Sequence, residues 1–165
     1  MRKVAERVQG SGFKVGGMTT SDLRSITGRV GFEIRDVATG KAGMLAHVDE
    51  LSGPRVGKYR VKSEDLDKIG AEAIVSAIRG ADLIIVDEVG PMELTSSRFK
   101  EAVQVALGSC KPLLGTVHRN ARDPLVRAIR SSPSIEVIEV TIANRDSLPD
   151  TLVKRFTDSL LHSAD

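Results

Sequence analysis

The apolar positions of this chain follow two rhythms. Residues 83–86, LIIV, place four apolar side chains in a row, three of them β-branched. Gly80 and Asp82 precede them and Gly90-Pro91 follows. Such a run predicts a short strand buried on both faces. Arg29 to Asp36 instead alternates Val30, Phe32 and Ile34 with Arg29, Glu33 and Arg35, the period of a half-exposed strand. Thr39-Gly40 turns the chain, Gly43 to Val48 forms a second strand, and the two predict an antiparallel hairpin. Leu51 to Gly57, with Ser52, Gly53 and Pro54, reads as a loop, and Lys58 to Val61 as a further short strand.

The remaining stretches carry the helical period. Val4 and Val8 share a face with Ala5 beside them, which predicts the last turns of an amphipathic helix ending at Gly10 or Gly12. Ser63-Glu64-Asp65 marks a helix start, and Leu66, Ile69, Ala73, Ile74, Ala77 and Ile78 give its buried stripe up to Gly80. Ser96 or Ser97 caps another helix, with Phe99, Val103, Ala106 and Leu107 turned inward. Pro124 to Arg130 predicts a short helix and Leu148 to Leu161 a closing one. Phe13 to Met18, Pro112 to Val117 and Ile135 to Val140 read as strands, and Thr19 to Asp22 as the loop leaving the first of these. Strands and helices alternate in the second half of the chain. The predicted fold class is therefore α/β, a single domain with a mostly parallel sheet flanked by helices and a small antiparallel β insertion near residues 29–61.

Composition narrows the function. At 165 residues, 41% hydrophobic and 28% charged, the chain is long enough for a real core. Its 24 basic and 22 acidic residues leave a net charge of +2, and no run of like charge is longer than Arg2-Lys3. The basic footprint of a nucleic-acid binder is missing, and four Phe, one Tyr and no Trp offer no stacking platform for single strands. No nucleic-acid partner is expected. The single Cys110 can form neither an internal disulfide nor a metal knuckle, which suits a reducing cytoplasm. Met1 to Gly10 has no signal-peptide core, and no apolar run approaches membrane-spanning length, so no membrane association is expected. His47, His118 and His162 lie apart, without the spacing of a histidine metal site. Gly10, Gly12, Gly16 and Gly17 do not have the spacing of a phosphate-cradling loop.

The chemistry gathers after the buried run. Asp87 and Glu88 follow it at once, and in an open parallel sheet ligands bind beyond the carboxyl ends of the strands. This is the shape of a Walker B element. The aspartate of such a pair holds Mg²⁺, directly or through water, and the following carboxylate orients or deprotonates an attacking water. The competing reading of the pair is a solvated strand end or a helix cap. His118-Arg119 and Asn144-Arg145-Asp146 fall at the same predicted edge of the sheet.

Together these pieces resemble the THEP1 family of nucleoside-triphosphatases, P-loop proteins of the RecA-like kind. The matching segments, in order, are VGGMTT, RVGFEI, VGKYRV, LIIVDEVGPMEL, GTVHR and VTIANRD, and Asp87 to Glu93 is the most specific of them. The resemblance implies Mg²⁺-dependent hydrolysis of ATP, GTP and other nucleoside triphosphates. It also implies a nucleotide-binding segment of Leu83, Ile84, Ile85, Val86, Asp87, Glu88, Val89 and Gly90. Within it Asp87 would serve the metal and Glu88 would be the catalytic carboxylate. Asn144 and Arg145 would lie near the base, and His118 or Arg119 would sense the γ-phosphate. Two other readings stay open: a kinase-like phosphotransferase whose acceptor pocket is formed by residues 29–61, and a nonenzymatic nucleotide-sensing or partner-binding module.

One expected element is absent. Members with this activity should carry a strand and a G-x-x-x-x-G-K-[ST] loop, and no such motif occurs in these 165 residues. MRKVAERV resembles the helix that follows the loop, so the chain is expected to begin after it, through a late start or as an inactive truncated copy. A sheet short of a central strand would leave backbone groups unpaired at about 1 to 3 kcal/mol each. The 165-residue chain is therefore predicted to be poorly soluble or molten when expressed, and a cooperative thermal transition would contradict that.

Overall fold

The structure, a computed structural model, describes residues 1–26 and 28–162. Among them seven strands form one sheet: β1 (Val15–Ser25), β2 (Gly28–Asp36), β3 (Ala42–His47), β4 (Arg55–Val56), β5 (Tyr59–Val61), β6 (Leu83–Val89) and β7 (Leu113–Val117). Their order across the sheet is β4-β5-β3-β2-β1-β6-β7. The parallel part is β1, β6 and β7, and every pairing on the other side of β1 is antiparallel. The insertion foreseen near residues 29–61 is thus a four-stranded ladder continuous with the parallel core.

Helices cover both faces. On one, α1 (Arg2–Gly10) and α6 (Leu148–His162) bury Val4, Val8, Val153 and Leu160 against Val15, Leu83 and Ile85. The other face receives α2 (Ser63–Asp65), a π-helical stretch over Leu66–Ala71, and α3 (Glu72–Gly80), which run on from one another. Beside them lie α4 (Ser97–Leu107) and α5 (Pro124–Ser131), and the shared core holds Met18, Ile34, Ile84, Val86, Leu66, Ile74, Phe99 and Val126. Strand β6 therefore sends alternate side chains into two separate cores, as its uninterrupted apolar run requires. Ser96 caps α4 by accepting the Phe99 N–H at 3.0 Å, and its hydroxyl donates to Asp67 in the π-helical stretch. Asp123 caps α5 through the Leu125 N–H at 2.9 Å. No helix among the described residues is long and apolar enough to cross a membrane.

Two glycines let the layers close. Gly16 lies beneath α3, where a Cβ would stand 2.8 Å from that of Ala77. Gly17 has φ +105°, and a Cβ there would overlap the Ile85 carbonyl oxygen of the neighbouring strand. Neither holds a phosphate loop; both permit close approach of backbone.

Three expectations are corrected. Thr19 to Asp22, read as a loop, continues β1, because Thr19, Thr20, Ser21 and Asp22 pair with Arg35, Ile34, Glu33 and Phe32 of β2. The ladder satisfies their backbone, and their polar side chains need no burial. Within the predicted loop of residues 51–57, Arg55 and Val56 pair with Arg60 and Tyr59 as β4. Ile135 to Val140 forms no strand. Strand β7 ends the sheet, no strand pairs with that segment, and Val137, Ile138 and Val140 remain exposed. An alternating pattern supplies a face but not a partner.

Substituting Gly17 by Ala combines positive-φ strain with a backbone clash, at a cost on the order of 3 kcal/mol or more. At Gly10, the last residue of α1, an added Cβ meets nothing within 4 Å. Denaturant unfolding of the two variants, each in a chain that carries a G-x-x-x-x-G-K-[ST] loop ahead of α1, is expected to show a large loss for Gly17→Ala and none for Gly10→Ala.

Candidate active site

The parallel register of β1 and β6 ends at the pair Thr19 and Asp87. On the other side of β6, Val86 pairs with Gly115 and Val89 with Val117, so Asp87 and Glu88 together oppose Thr116 alone. This is a β-bulge, which re-aims side chains at the point where a strand meets a site. Asp87 and Glu88, successive residues of the strand, meet different surroundings here. The Thr116 hydroxyl donates to Asp87 Oδ1, which ties that carboxylate to β7 and leaves its second oxygen available. Glu88, half-buried, faces a cavity of about 310 Å³ on the side of the antiparallel ladder, where His118, Thr20, Arg29 and Glu93 also lie.

Burial raises the Glu88 carboxyl above its ordinary range; the charge of His118 opposes this and that of Asp87 adds to it. His118 stays close because its backbone N–H donates to the Val89 carbonyl at 3.1 Å, carrying the end of β7 along β6. Its Nδ1 accepts the Asn120 N–H at 3.3 Å, so the neutral ring carries its proton on Nε2. Arg130 holds the loop beyond by donating to the carbonyls of His118 and Arg119 at 3.1 and 2.6 Å.

Glu93 is only 3% exposed, within the short 3₁₀ turn Glu93–Thr95. Burial pushes its carboxyl up to about 8, while backbone N–H groups of Glu93 and Gly90 pull the other way. It therefore holds a proton at neutral pH and spares the fold a buried charge. Gly90 separates the two glutamates: a Cβ there would overlap Glu88 Oε1 and stand 3.0 Å from Glu93 Oε2.

The other sequence-predicted residues fall elsewhere. Leu83, Ile84, Ile85, Val86 and Val89 are buried strand residues that position the acids. Arg119 turns outward to Glu139 at 3.3 Å, both side chains being largely exposed. Asn144 accepts the Thr141 N–H and donates to the Glu139 carbonyl, both at 2.8 Å, and so braces its own loop. Arg145 is exposed and pairs with Asp146 at 3.7 Å. None of these three lines the cavity. Thr116 and Glu93 were not singled out from the sequence, although both lie within segments that carry the family resemblance. Among the described residues no three His, Cys, Asp or Glu side chains cluster as metal ligands. The second oxygen of Asp87 is chemically fit to hold a hard divalent cation that keeps several waters of its own.

A covered parallel strand delivering two acids to the carboxyl edge of an α/β sheet is the arrangement of the P-loop NTPase fold. The chain belongs to the NTPase family, whose model matches residues 1–153. It is 46% identical over 159 residues to nucleoside-triphosphatase THEP1 of Methanosarcina acetivorans, covering 96% of this chain and 89% of the relative. The corresponding protein of Methanosarcina barkeri is 48% identical over 157 residues, with 94% and 88% covered. Among solved structures, THEP1 from Aquifex aeolicus superposes with a TM-score of 0.82 at 27% identity, covering 94% of this chain and 91% of that one. A human cancer-related nucleoside triphosphatase gives 0.77 at 30% identity, with 96% and 89% covered.

The buried Glu93 gives stability a pH signature. An unfolded glutamate ionises near 4.5 while the native one keeps its proton to about 8. Native stability from this group therefore falls as pH rises through that interval and levels off above it. Thermal melts at about pH 5 and about pH 9 are expected to separate the wild type from Glu93→Gln by on the order of a few kcal/mol, the variant losing less. Parallel pH dependence of the two would contradict the assignment.

Proposed function

We propose that this chain is a Mg²⁺-dependent nucleoside-triphosphatase that converts ATP, GTP and other nucleoside triphosphates to the diphosphate and phosphate. The reading rests on one observation above the others, the end of β6 at Asp87-Glu88, where two adjacent carboxylates meet different partners. The names of the relatives agree with it.

In this reading the free oxygen of Asp87 would hold Mg²⁺, directly or through water, and the Thr116 hydroxyl keeps the carboxylate in place. Bound Mg²⁺ would neutralise charge on the β- and γ-phosphates. Glu88 accepts the proton of the attacking water, and its raised proton affinity makes it a better base than an exposed glutamate. His118 donates from Nε2 toward the γ-phosphate as charge develops. Arg119 would need to leave Glu139 to take part. Arg145 meets the base through its exposed guanidinium, which stacks on any base and suits a broad nucleotide range. Asn144 shapes the loop that presents it.

Phosphate release with Mg²⁺ and several nucleoside triphosphates tests the proposal. The 165 residues alone are expected to release little, and a chain carrying a G-x-x-x-x-G-K-[ST] loop ahead of α1 to turn over. In that active form Glu88→Gln should lower turnover about a hundredfold or more. Thr116→Val should raise the Mg²⁺ concentration needed for half-maximal turnover about ten- to a hundredfold. Full turnover by Glu88→Gln would refute the role of the base.

A further inference from the structure

Hydrolysis needs a water molecule at Glu88, yet the cavity there is far larger than water requires. The antiparallel ladder supplies Phe32, Leu45 and Val56 to its walls, and the turn after β6 supplies Pro91 and Met92. Its polar groups include Thr20, Glu88, Glu93 and His118. About 310 Å³ lined by apolar side chains with a few convergent polar groups is the construction of a small-molecule site. The aromatic wall is held in place: Phe32 packs edge-on against Tyr59 with ring centroids 5.1 Å apart, and the Arg29 guanidinium lies 5.1 Å from the Phe32 ring centre.

The charges indicate the occupant. Arg29 is engaged by Asp22 at 3.0 Å, a carboxylate it shares with Arg24 at 2.8 Å, and its side chain is 46% exposed, so solvent answers the rest of its charge. Glu93 is almost fully buried, which leaves the half-buried Glu88 as the carboxylate that an occupant meets. A neutral ligand whose hydroxyl donates to Glu88 satisfies both ends. Asp87 is tied to β7 while the cavity opens toward the ladder, so Glu88 stands between the proposed phosphate side and the apolar chamber.

We propose that this chamber is an acceptor site for a small neutral alcohol with an aromatic or aliphatic body, whose hydroxyl takes the γ-phosphoryl group in place of water. The inference rests on the nucleoside-triphosphatase reading of Glu88 as base. The alcohol proton passes to the Glu88 carboxylate, and the alcohol oxygen forms a bond to the γ-phosphorus. The bond from that phosphorus to the β,γ-bridging oxygen breaks, and its electron pair leaves on the nucleoside diphosphate. Hydrolysis is the same step with water in an otherwise empty chamber.

Benzyl alcohol is the probe, with benzyl methyl ether as the same body without a donor. Amide NMR of the form carrying the phosphate loop ahead of α1 should show benzyl alcohol shifting Thr20, Phe32, Met92 and His118. The ether should bind roughly tenfold more weakly, for want of one hydrogen bond to a charged group. Val56→Trp on the edge strand, or Met92→Trp from the opposite wall, should abolish the shifts in a form that still melts cooperatively. Phosphorus NMR on the form that turns over nucleoside triphosphate should then show benzyl phosphate beside inorganic phosphate. Unmoved chamber resonances in the folded chain would overturn the inference whatever the turnover. Shifts accompanied by inorganic phosphate alone during turnover would overturn the acceptor role and leave hydrolysis standing. Absence of turnover with every nucleotide would remove the underlying reading itself, and the acceptor role with it.

Discussion

A strand that is apolar on both faces is stable only between two covering layers, and β6 sets that condition for the whole molecule. Leu83 and Ile85 need α1 and α6; Ile84 and Val86 need the helices over residues 63–80 and 97–107. Each such side chain contributes about 1.5 to 3 kcal/mol on burial. That is enough to carry the less favourable neighbours at the strand's end, a half-buried Glu88 and an almost fully buried Glu93. Gly16 and Gly17 serve the same constraint, since any side chain there would hold α3 or β6 away from β1.

Once β6 is fixed, its last turn of pairing sets the surroundings of the two acids. Successive side chains of a strand point to opposite faces, and the bulge opposite Thr116 interrupts the pairing with β7 at the point where they do so. Asp87 meets a hydroxyl and keeps an open oxygen, as a metal-holding carboxylate needs. Glu88 meets a partly apolar chamber, which raises its affinity for a proton. Glu93 resolves the conflict of placing two carboxyl groups around Gly90 by remaining protonated. Unequal environments, more than residue type, set these acids apart.

The sequence made β6 legible because four apolar residues in a row, flanked by breakers, have few other solutions. The helices were legible from their stripes, and the acids from their place directly after the apolar run of β6. Thr19 to Asp22 was not, since backbone pairing with β2 compensates for polar side chains that by themselves suggest a loop. Ile135 to Val140 was misread for the opposite reason: its pattern suits a strand, but a strand depends on a neighbour that local sequence does not report. Thr116 and Glu93 escaped notice because their importance depends on register and burial. His118 and Arg119 were indistinguishable as neighbours. The hydrogen bond from His118 N–H to Val89 keeps one beside β6, and the ion pair with Glu139 turns the other away.

The division of labour between the two acids can be tested directly by metal position. With Mn²⁺ in place of Mg²⁺ and a non-hydrolysable nucleoside triphosphate, paramagnetic broadening of amide resonances locates the ion. The account predicts broadening centred on Asp87, Thr116 and Val117, lost in Asp87→Asn and retained in Glu88→Gln. Broadening centred on the chamber around Glu93, or on the 144–146 loop, would contradict it.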